Sequence, residues 1–363
     1  MVHPALTIPP RWEDVTPEWM TAAISTRHPG ATVERVTLLL RDDGTNRRAR
    51  FELAYASGTG PRRVFVKAES GVPGRREIHY ENGNLFNESW LYRALLDGRT
   101  ELPLEHPRAY AVAIDESALD YVIVFEDLLE RSADPRDPTR PLTADQVADG
   151  LQGLARLHSR HWNRVGDEPE LAWVQPFRPT RGWTAPMTAA LPHGITAARD
   201  VLSDAVTHLD ADGLVDVWTA YIGGLGTGPQ TFLHGDPHIG NTYLLPDDTV
   251  GFLDWQVVRS GHWSHDVGYF LQSALTEADR RAHEAALLAH YRNALQLPET
   301  RRPTAEEAWL RYRASAAHGL PVWLITLLSN AHPTERSRAL VQRFAAAFTD
   351  LDTPAAVQTL RRT

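Results

Sequence analysis

The spacing of apolar residues changes along the chain. Short apolar or alternating runs indicate β-strands, and apolar residues every three to four positions indicate helices. A short helix is predicted at 16–27, where Thr16 is the N-cap and Pro17 takes the first helical position. Short apolar runs then predict β-strands at residues 33–40, 49–55, 63–66 and 121–125. The first third of the chain is therefore predicted to be built on an antiparallel sheet.

Helical spacing dominates the rest of the chain. The best-marked helix covers 143–162, with a capping box of Thr143 and Gln146 and an apolar stripe that ends at His158. We interpret His158 as a hydrogen-bonded core histidine. Further helices are predicted around 195–210 and 212–224, and others start at Thr276, Thr304, Thr334 and Thr353.

Three segments show neither the strand spacing nor the helical spacing of apolar residues. Glycine, proline, asparagine or tryptophan is frequent at 72–84 and at 173–192, which predicts loops, and the proline- and charge-rich segment 130–142 predicts a linker. We therefore predict an α+β fold of two lobes. A β-rich N-terminal lobe covers residues 1–130, and a larger helical C-terminal lobe covers residues 131–363.

The composition excludes several classes of protein. Hydrophobic residues make up 42% and charged residues 23%, as in soluble globular proteins. The net charge of −9 argues against a nucleic-acid partner held through phosphates, and the absence of cysteine excludes disulfides and a cysteine nucleophile. No apolar run approaches the roughly 18 residues of a membrane span, and MVHPALTIPPRWEDV lacks the layout of a signal peptide. We expect a cytoplasmic enzyme without a membrane partner, and the oligomeric state stays open.

Lys67 is the single lysine among 37 lysine and arginine residues, and it follows the third predicted strand. A compact ammonium suits phosphate oxygens as a point charge, whereas the alternative is one surface lysine left by chance. The helical spacing of 85–96 puts Glu88 on the same face as Leu91 and Leu95, where an unpaired carboxylate is costly. We predict that Glu88 pairs with Lys67; a carboxylate at the wet rim of the helix is the alternative.

The turn between the first two predicted strands contains Gly44, Thr45 and Asn46. Backbone N–H groups of such a turn can cover phosphate groups. An ordinary hairpin turn is the alternative interpretation.

The stretch TFLHGDPHIGNTYLLPDDTVGFLDW carries the most informative polar residues. Its apolar runs, 242–245 and 250–253, flank a Pro-Asp-Asp turn and predict a β-hairpin. Asp236 and Asn241 lie in the polar loop before this hairpin, and Asp254 ends it. Asn241 and Asp254 offer the hard oxygen ligands that Mg²⁺ prefers, and Asp236 is free to take the proton of an acceptor hydroxyl. The stretch therefore predicts the catalytic centre of a small-molecule kinase.

HGDPHIGN followed by FLDW resembles the H-G-D-x-H-x-x-N and D-W motifs of the aminoglycoside phosphotransferase/choline kinase superfamily. That superfamily is related to protein kinases through H-R-D-x-x-x-x-N and D-F-G. The segments NESWLYRALL, VIVFEDL and LARLHSRHW look most like its ecdysteroid-kinase-like branch, which includes bacterial members. The resemblance covers roughly residues 33–330 and implies a bilobal protein-kinase-like fold.

The resemblance implies a role for each matching position. Asp236 matches the catalytic base, and Asn241 and Asp254 match the Mg²⁺ ligands. Lys67 and Glu88 match the ion pair that binds nucleotide phosphates. The implied cofactors are Mg²⁺ and ATP, with GTP not excluded, and the implied substrate is a small-molecule alcohol.

The resemblance also implies a nucleotide-binding hinge. The backbone of Glu126 to Leu128 matches the hinge that hydrogen-bonds adenine. The turn of Gly44, Thr45 and Asn46 lacks the G-x-G-x-x-G of protein kinases, as is common in this superfamily, so the resemblance leaves its phosphate contacts open.

Other matching positions support the catalytic loop or its regulation. His158, His234 and Asp266 match positions that usually hold the loop in place. Gly235 stands where protein kinases carry the arginine that pairs with an activation-loop phosphate. Control by such phosphorylation is therefore not expected.

Two other functions are compatible with parts of the sequence. His234, Asp236 and His238 form an H-x-D-x-H pattern that a Zn²⁺-dependent hydrolase could use, although Lys67 and Glu88 would then have no purpose. A catalytically silent nucleotide-binding protein of the same fold is the second alternative. Aromatic residues of the C-terminal part could line an apolar or cationic acceptor site, although most of them are expected to lie in the core; they are Trp183, Trp263, Trp309, Tyr312 and Trp323. The resemblance to the ecdysteroid-kinase-like branch implies a bulkier, less charged alcohol.

Overall fold

The computed structural model of the protein describes residues 6–72, 74–329 and 333–362. Strands are concentrated before residue 127 and long helices after residue 143, which confirms the predicted α+β fold class. None of the helices in these ranges is long and apolar enough to cross a membrane.

The chain divides into two compact units. Unit 1 contains residues 1–102 and His106–Asp134, and unit 2 contains Pro103–Glu105 and residues 135–363. The lobe boundary between residues 130 and 131, which we expect from the sequence, stays a prediction.

Unit 1 is built on an antiparallel sheet of five strands. The strands are β1 Thr32–Asp43, β2 Arg47–Ser57, β3 Arg63–Ala68, β4 Ala109–Asp115 and β5 Asp120–Glu126. Their order in the sheet is β1-β2-β3-β5-β4. The helices are α1 Pro17–Ile24, α2 Arg75–Glu81 and α3 Asn87–Leu96. Thr16 caps α1 as predicted, because its hydroxyl accepts from the backbone N–H of Trp19.

A large hydrophobic core cluster of unit 1 lies on one face of this sheet. It consists mainly of β-branched and aromatic side chains, as expected for a pleated surface that packs against a helix. Its members include Trp12, Met20, Ile24, Phe51, Val64, Val66, Val122 and Val124.

Unit 2 is mainly helical and is accompanied by a two-stranded sheet and a three-stranded sheet. Its helices are α4 Ala144–Arg160, α5 Arg181–Ala197, α6 Asp204–Gly224, α7 Ser264–Ala274, α8 Glu277–Ala294, α9 Ala305–Thr326, α10 Thr334–Asp350 and α11 Thr353–Leu360. After the two-residue strand β6 Asp134–Pro135, its strands are β7 Thr231–Leu233, β8 Thr242–Leu244, β9 Val250–Phe252 and β10 Arg259–Gly261. Strand β7 pairs with β10, and β8 pairs with β9 as the predicted hairpin.

Short 3₁₀ helices complete the described secondary structure. They are Trp12–Asp14, Leu128–Arg131, Val165–Asp167, Pro169–Leu171, Ile239–Asn241, Trp255–Val257 and Glu299–Arg301. Asn241 therefore ends a short helical turn, where the sequence predicts only loop.

Predicted helix starts are confirmed where a local signal exists. The Thr143–Gln146 capping box is present at α4. Thr276 and Thr304 are N-caps whose hydroxyls accept from the backbone three residues on. Helices α10 and α11 also begin at the predicted threonines.

The predicted loop at 72–84 is wrong over Arg75–Glu81, which form α2; position 73 lies outside the described residues. The seven residues of α2 contain neither glycine nor proline, but none of them is buried, so no apolar stripe marks the helix. Gly74 before it has a φ of +78°, a conformation that glycine adopts without strain.

The predicted loop at 173–192 is also wrong, because Arg181–Ala197 form α5 although Pro186 and Pro192 lie inside it. Packing overrides the low helix propensity of proline here. A Cβ at Gly194 would overlap the backbone of Leu324, so this helix approaches α9 very closely. Helix α6 consequently starts at Asp204 rather than near 195, and its backbone breaks at Asp210.

Candidate active site

Lys67 and Glu88 form a buried ion pair within unit 1. Lys67 lies in β3 and Glu88 in the first turn of α3, and the Nζ–Oε2 distance is 2.6 Å. Their side chains are 6% and 3% exposed. Two charges removed from water need close geometry, because desolvation opposes burial of either charge alone. The ion pair that the sequence predicts is therefore present.

The turn between β1 and β2 is fixed to the rest of unit 1. The Arg75 guanidinium donates to the Gly44 carbonyl at 2.9 Å. Asn46 is buried, and its amide donates to the Tyr121 hydroxyl at 2.9 Å. The Asn46 side chain is thus committed to the sheet, whereas Thr45 is exposed at the tip. This leaves the Thr45 hydroxyl and the backbone N–H groups as the parts of the turn suited to an anionic ligand.

The predicted hinge segment follows the end of β5. The Glu126 carboxylate accepts from the Arg108 backbone N–H at 2.9 Å and from the Arg131 guanidinium at 3.1 Å. Asp127 caps the 3₁₀ helix that begins at Leu128. The backbone is partly committed as well, because the Glu126 N–H donates to the Arg108 carbonyl at 2.8 Å and the Leu128 carbonyl accepts from the Ala133 N–H at 3.1 Å. The groups to be tested against a purine are therefore the Glu126 carbonyl and the Leu128 N–H.

The His234-Gly235-Asp236 segment follows β7 and is held by Asp266 from the first turn of α7. Asp266 accepts from the backbone N–H of His234 at 2.7 Å and from that of Gly235 at 2.9 Å. Gly235 has a φ of +84°, and a Cβ there would overlap the carbonyl of Val257. Glycine is therefore required for the loop to take this path.

Asp266 is fully buried and anchors the loop as an ionised carboxylate. Burial by itself raises the pKa of Asp266, but the hydrogen bond from His158 and the nearby histidines lower that pKa below its usual range. His158 Nε2 lies 3.3 Å from the carboxylate, and Nδ1 lies 2.7 Å from the Tyr291 hydroxyl. His158 is thus a buried, hydrogen-bonded histidine, as predicted.

His234 uses both ring nitrogens to shape the loop. Nδ1 accepts from the Asp236 backbone N–H at 3.3 Å, so Nε2 carries the proton and donates to the Leu253 carbonyl at 3.1 Å. Burial lowers the pKa of His234, which agrees with a neutral ring. Its ring has no nitrogen left for a metal ion, which removes one ligand of the H-x-D-x-H pattern. Within residues 6–72, 74–329 and 333–362 no three His, Cys, Asp or Glu side chains are grouped to hold a metal.

Asp236 and Asn241 are in direct contact. The Asn241 amide nitrogen donates to the Asp236 carbonyl at 2.8 Å and to its carboxylate at 3.1 Å. The Asp236 side chain retains 31% of its exposure. Burial and then the charge of Asp254 raise the pKa of Asp236 well above its usual value, while hydrogen bonds from Tyr269 and Asn241 oppose the rise. The carboxylate therefore lies in a recess whose electrostatics favour proton uptake.

Asp254 is brought beside this pair by the hairpin. The Leu253 backbone N–H donates to the Asn241 carbonyl at 2.9 Å, which fixes the end of β9 next to Asn241. Asp254 has a φ of +64°, an uncommon conformation for a residue other than glycine. Such backbone conformations cluster at functional sites. The structure thus brings Asp236, Asn241 and Asp254 together within unit 2.

The Asn241 and Asp254 side chains fit a Mg²⁺ ion. Because the Asn241 nitrogen points at Asp236, its amide oxygen remains as a hard ligand, and Asp254 offers a carboxylate as a second one. Mg²⁺ keeps several waters and phosphate ligands, so few protein ligands suffice. A bound cation would also relieve the repulsion between Asp236 and Asp254.

The aromatic residues proposed for the acceptor site divide into different environments. Trp263 and Tyr312 are fully buried, as the sequence leads us to expect for most of these aromatic residues. Trp323 is also buried, but its indole N–H donates to the Tyr269 hydroxyl at 2.9 Å. Tyr269, which is next to Asp236, is missed by sequence reasoning. Its position three residues after Asp266 on a helix is the one signal that could have identified it.

Buried neutral histidines predict a loss of stability in mild acid. Burial lowers the pKa of a set of histidines in unit 2, namely His161, His234, His262, His265 and His318. Below about pH 6.5 the unfolded chain therefore binds more protons than the folded chain, so stability falls as the pH falls. Each histidine lowers the unfolding free energy by up to about 1.4 kcal/mol per pH unit until its folded pKa is reached.

Urea unfolding from about pH 7.5 to pH 5.5 measures this effect, and the unfolding free energy should decline steeply. His262→Asn keeps an acceptor for Ser264 and should make the decline shallower. His193→Asn, at an exposed position, should leave it unchanged. Equal slopes for His262→Asn and the unsubstituted protein would contradict the prediction.

Comparison with protein families gives one match, to the model described as "Phosphotransferase enzyme family" (APH), over residues 52–306. A comparison with curated protein sequences found no match.

Several solved structures are similar at low identity. Choline kinase LicA from Streptococcus pneumoniae has 14% identity and a TM-score of 0.48, over 92% of this chain and 98% of that chain. Spectinomycin phosphotransferase APH(9)-Ia, in complex with ADP and spectinomycin, has 11% identity and a TM-score of 0.48, over 93% and 97%. Macrolide 2'-phosphotransferase MphH from Brachybacterium faecium has 17% identity and a TM-score of 0.42, over 88% and 98%.

Proposed function

Because the chain belongs to the phosphotransferase enzyme family, we propose that it transfers the γ-phosphoryl group of ATP to a hydroxyl of a small-molecule alcohol. The grouping of Asp236, Asn241 and Asp254 on a loop anchored by Asp266 is the observation that carries this proposal. Phosphoryl transfer requires positioned charges and an oriented hydroxyl more than covalent chemistry from the protein.

Asp236 acts as the base in this proposal. Its partly exposed carboxylate can accept a hydrogen bond from the acceptor hydroxyl and take its proton as the phosphoryl group leaves ATP. The amide of Asn241 orients the carboxylate. The raised pKa of Asp236 makes its carboxylate a stronger base than an ordinary aspartate.

Asn241 and Asp254 would hold Mg²⁺ in this proposal. When bound, Mg²⁺ neutralises charge on the phosphate oxygens during transfer. The two side chains supply only oxygen ligands, which favours Mg²⁺ over a metal that prefers imidazole.

Unit 1 holds the nucleotide in this proposal. Lys67 contacts its phosphates, and Glu88 keeps the ammonium in place. The backbone of Glu126 and Leu128 hydrogen-bonds the purine base. The backbone of the Gly44 turn covers the phosphates.

A screen for ADP release tests the function. Candidate acceptors are aminoglycosides, macrolides, sterols, choline and sugars, each assayed with ATP, with GTP and without Mg²⁺. A bulky, weakly charged alcohol is the preferred acceptor, and the ecdysteroid-kinase-like branch stays a prediction. Turnover of one acceptor supports the kinase, whereas tight nucleotide binding without turnover on any alcohol supports a silent nucleotide-binding protein.

Loss of the Lys67 charge should weaken productive ATP binding. Lys67→Ala alone leaves Glu88 buried without its cation, which destabilises a fold by about 3–5 kcal/mol. The double variant Lys67→Met/Glu88→Gln removes both charges and should fold. We expect kcat/KM for ATP to fall by about 10- to 100-fold, the range of a lost charged hydrogen bond.

Steady-state kinetics with ATP as the varied substrate, together with thermal unfolding, measures this change. Arg62→Ala removes an exposed, paired cation from the same unit and serves as the matched control. An unchanged kcat/KM in a folded double variant would argue against a role of Lys67 in ATP binding.

A further inference from the structure

The strand register places two cross-strand rows of side chains on one face of the sheet in unit 1. Residues that are directly opposite in an antiparallel ladder point to the same face. Lys67 is opposite Arg48 on β2 and opposite Ile123 on β5. The complete row through Lys67 is Asp42, Arg48, Lys67, Ile123 and Val112.

The second row lies two residues along the strands, at a separation of about 7 Å. It runs through Leu40, Arg50, Phe65 and Phe125. The strand residues of the core cluster, among them Val64, Val66 and Val124, occupy the intervening positions and point to the opposite face. The face with Lys67 therefore has one charged row beside one mainly apolar row, and Leu40 in the apolar row is 44% exposed.

Arg48 is held next to the turn between β1 and β2. A Cβ on Gly44 would lie 2.8 Å from the Arg48 Nη2 atom, so the guanidinium packs directly against this turn. Arg75 fixes the same turn through the Gly44 carbonyl. The Arg48 guanidinium thus lies against the turn, and Arg48 is the neighbour of Lys67 in the row.

Arg48 forms an ion pair with Asp42 in which another anion can replace the Asp42 carboxylate. Its Nη2 atom lies 2.8 Å from the Asp42 carboxylate, and the two side chains are 35% and 53% exposed. Exposed ion pairs contribute little to stability. A phosphate group can therefore replace the Asp42 carboxylate as the partner of the guanidinium.

We infer that Arg48 is a second phosphate-binding cation of the nucleotide site, contacting the diphosphate or triphosphate of the nucleotide bound by Lys67. This inference rests on the proposed function. The charge of Lys67 is already balanced by Glu88, so a polyphosphate needs a further cation. A guanidinium binds phosphate through two parallel hydrogen bonds, which a single ammonium does not offer. In the adjacent row, the exposed Leu40 and the partly exposed Phe65 give the nucleobase and ribose an apolar surface, whereas Phe125 is buried against Tyr92.

Calorimetric titration with ATP, ADP and adenosine tests this inference on the full chain. Arg48→Gln should weaken ATP and ADP binding by about 10- to 100-fold and leave adenosine binding unchanged. Arg48→Lys should recover part of the loss, because it restores the charge without the paired hydrogen bonds. An equal loss for adenosine and ATP would overturn the inference, since it would indicate a change in the sheet rather than a lost phosphate contact.

Asp42→Asn is the matched control, because it breaks the same ion pair from the other side. If Arg48 binds phosphate, the ATP affinity of this variant should equal or exceed that of the unsubstituted protein. A loss equal to that of Arg48→Gln would assign Arg48 a purely structural role and overturn the inference.

The titration of the unsubstituted protein separates the two proposals. No binding of any nucleotide would overturn the proposed function and the inference with it. Normal ATP binding that Arg48→Gln does not change would overturn the inference alone.

Discussion

Asp236→Asn should lower kcat by about 10²- to 10⁴-fold, the usual contribution of a general base, while ATP binding is retained. Asparagine has the shape of aspartate and keeps an oxygen that can accept the hydrogen bond of Asn241. It cannot take a proton from the acceptor hydroxyl. The repulsion from Asp254 also disappears, so the folded state should not be weakened by this change.

The measurement is kcat with the acceptor found in the ADP-release screen, combined with ATP titration and thermal unfolding. Asp248→Asn is the matched control, because Asp248 is exposed in the turn of the following hairpin and has a φ of +65° that asparagine tolerates. This control should keep full activity. Near-normal kcat in a folded Asp236→Asn variant would exclude Asp236 as the base.

Elements with local signals are predictable from the sequence, whereas elements fixed by packing are not. The Thr143–Gln146 capping box lies within one helical turn, so four residues are enough to identify the start of α4. Helix α5 contains Pro186 and Pro192 and depends on its contact with α9, more than a hundred residues later along the chain. Local propensity gives the wrong answer there because tertiary packing decides the outcome.

The same distinction applies to the candidate site. Asp236, Asn241 and Asp254 are close in sequence, so their motif and spacing identify them together. The commitment of the Asn46 amide to Tyr121 joins residues 75 positions apart, and no local pattern indicates it. Arg48 is likewise missed, because its relation to Lys67 depends on the register of two strands rather than on a motif. Register is set by the fold as a whole.

Asp254→Asn should reduce activity by at least about 100-fold at limiting Mg²⁺ and raise the Mg²⁺ concentration needed for half-maximal rate. Removing a negative ligand weakens binding of a hard dication, and the neutral amide oxygen that replaces it is a poorer ligand. Asparagine is chosen because the φ of +64° at this position suits it, so the backbone beside Asn241 should not move.

Rates measured over a Mg²⁺ titration separate metal binding from a general loss of structure. Asp352→Asn is the matched control, since Asp352 also has a positive φ, +45°, but lies at the N-cap of α11. If Asp254 binds the metal, saturating Mg²⁺ should restore part of the lost rate in Asp254→Asn and have no such effect on the control. A loss that is independent of Mg²⁺ would instead mean that Asp254 acts through its charge on Asp236 or through the loop conformation, and the assignment of Asp254 as a metal ligand would then be wrong.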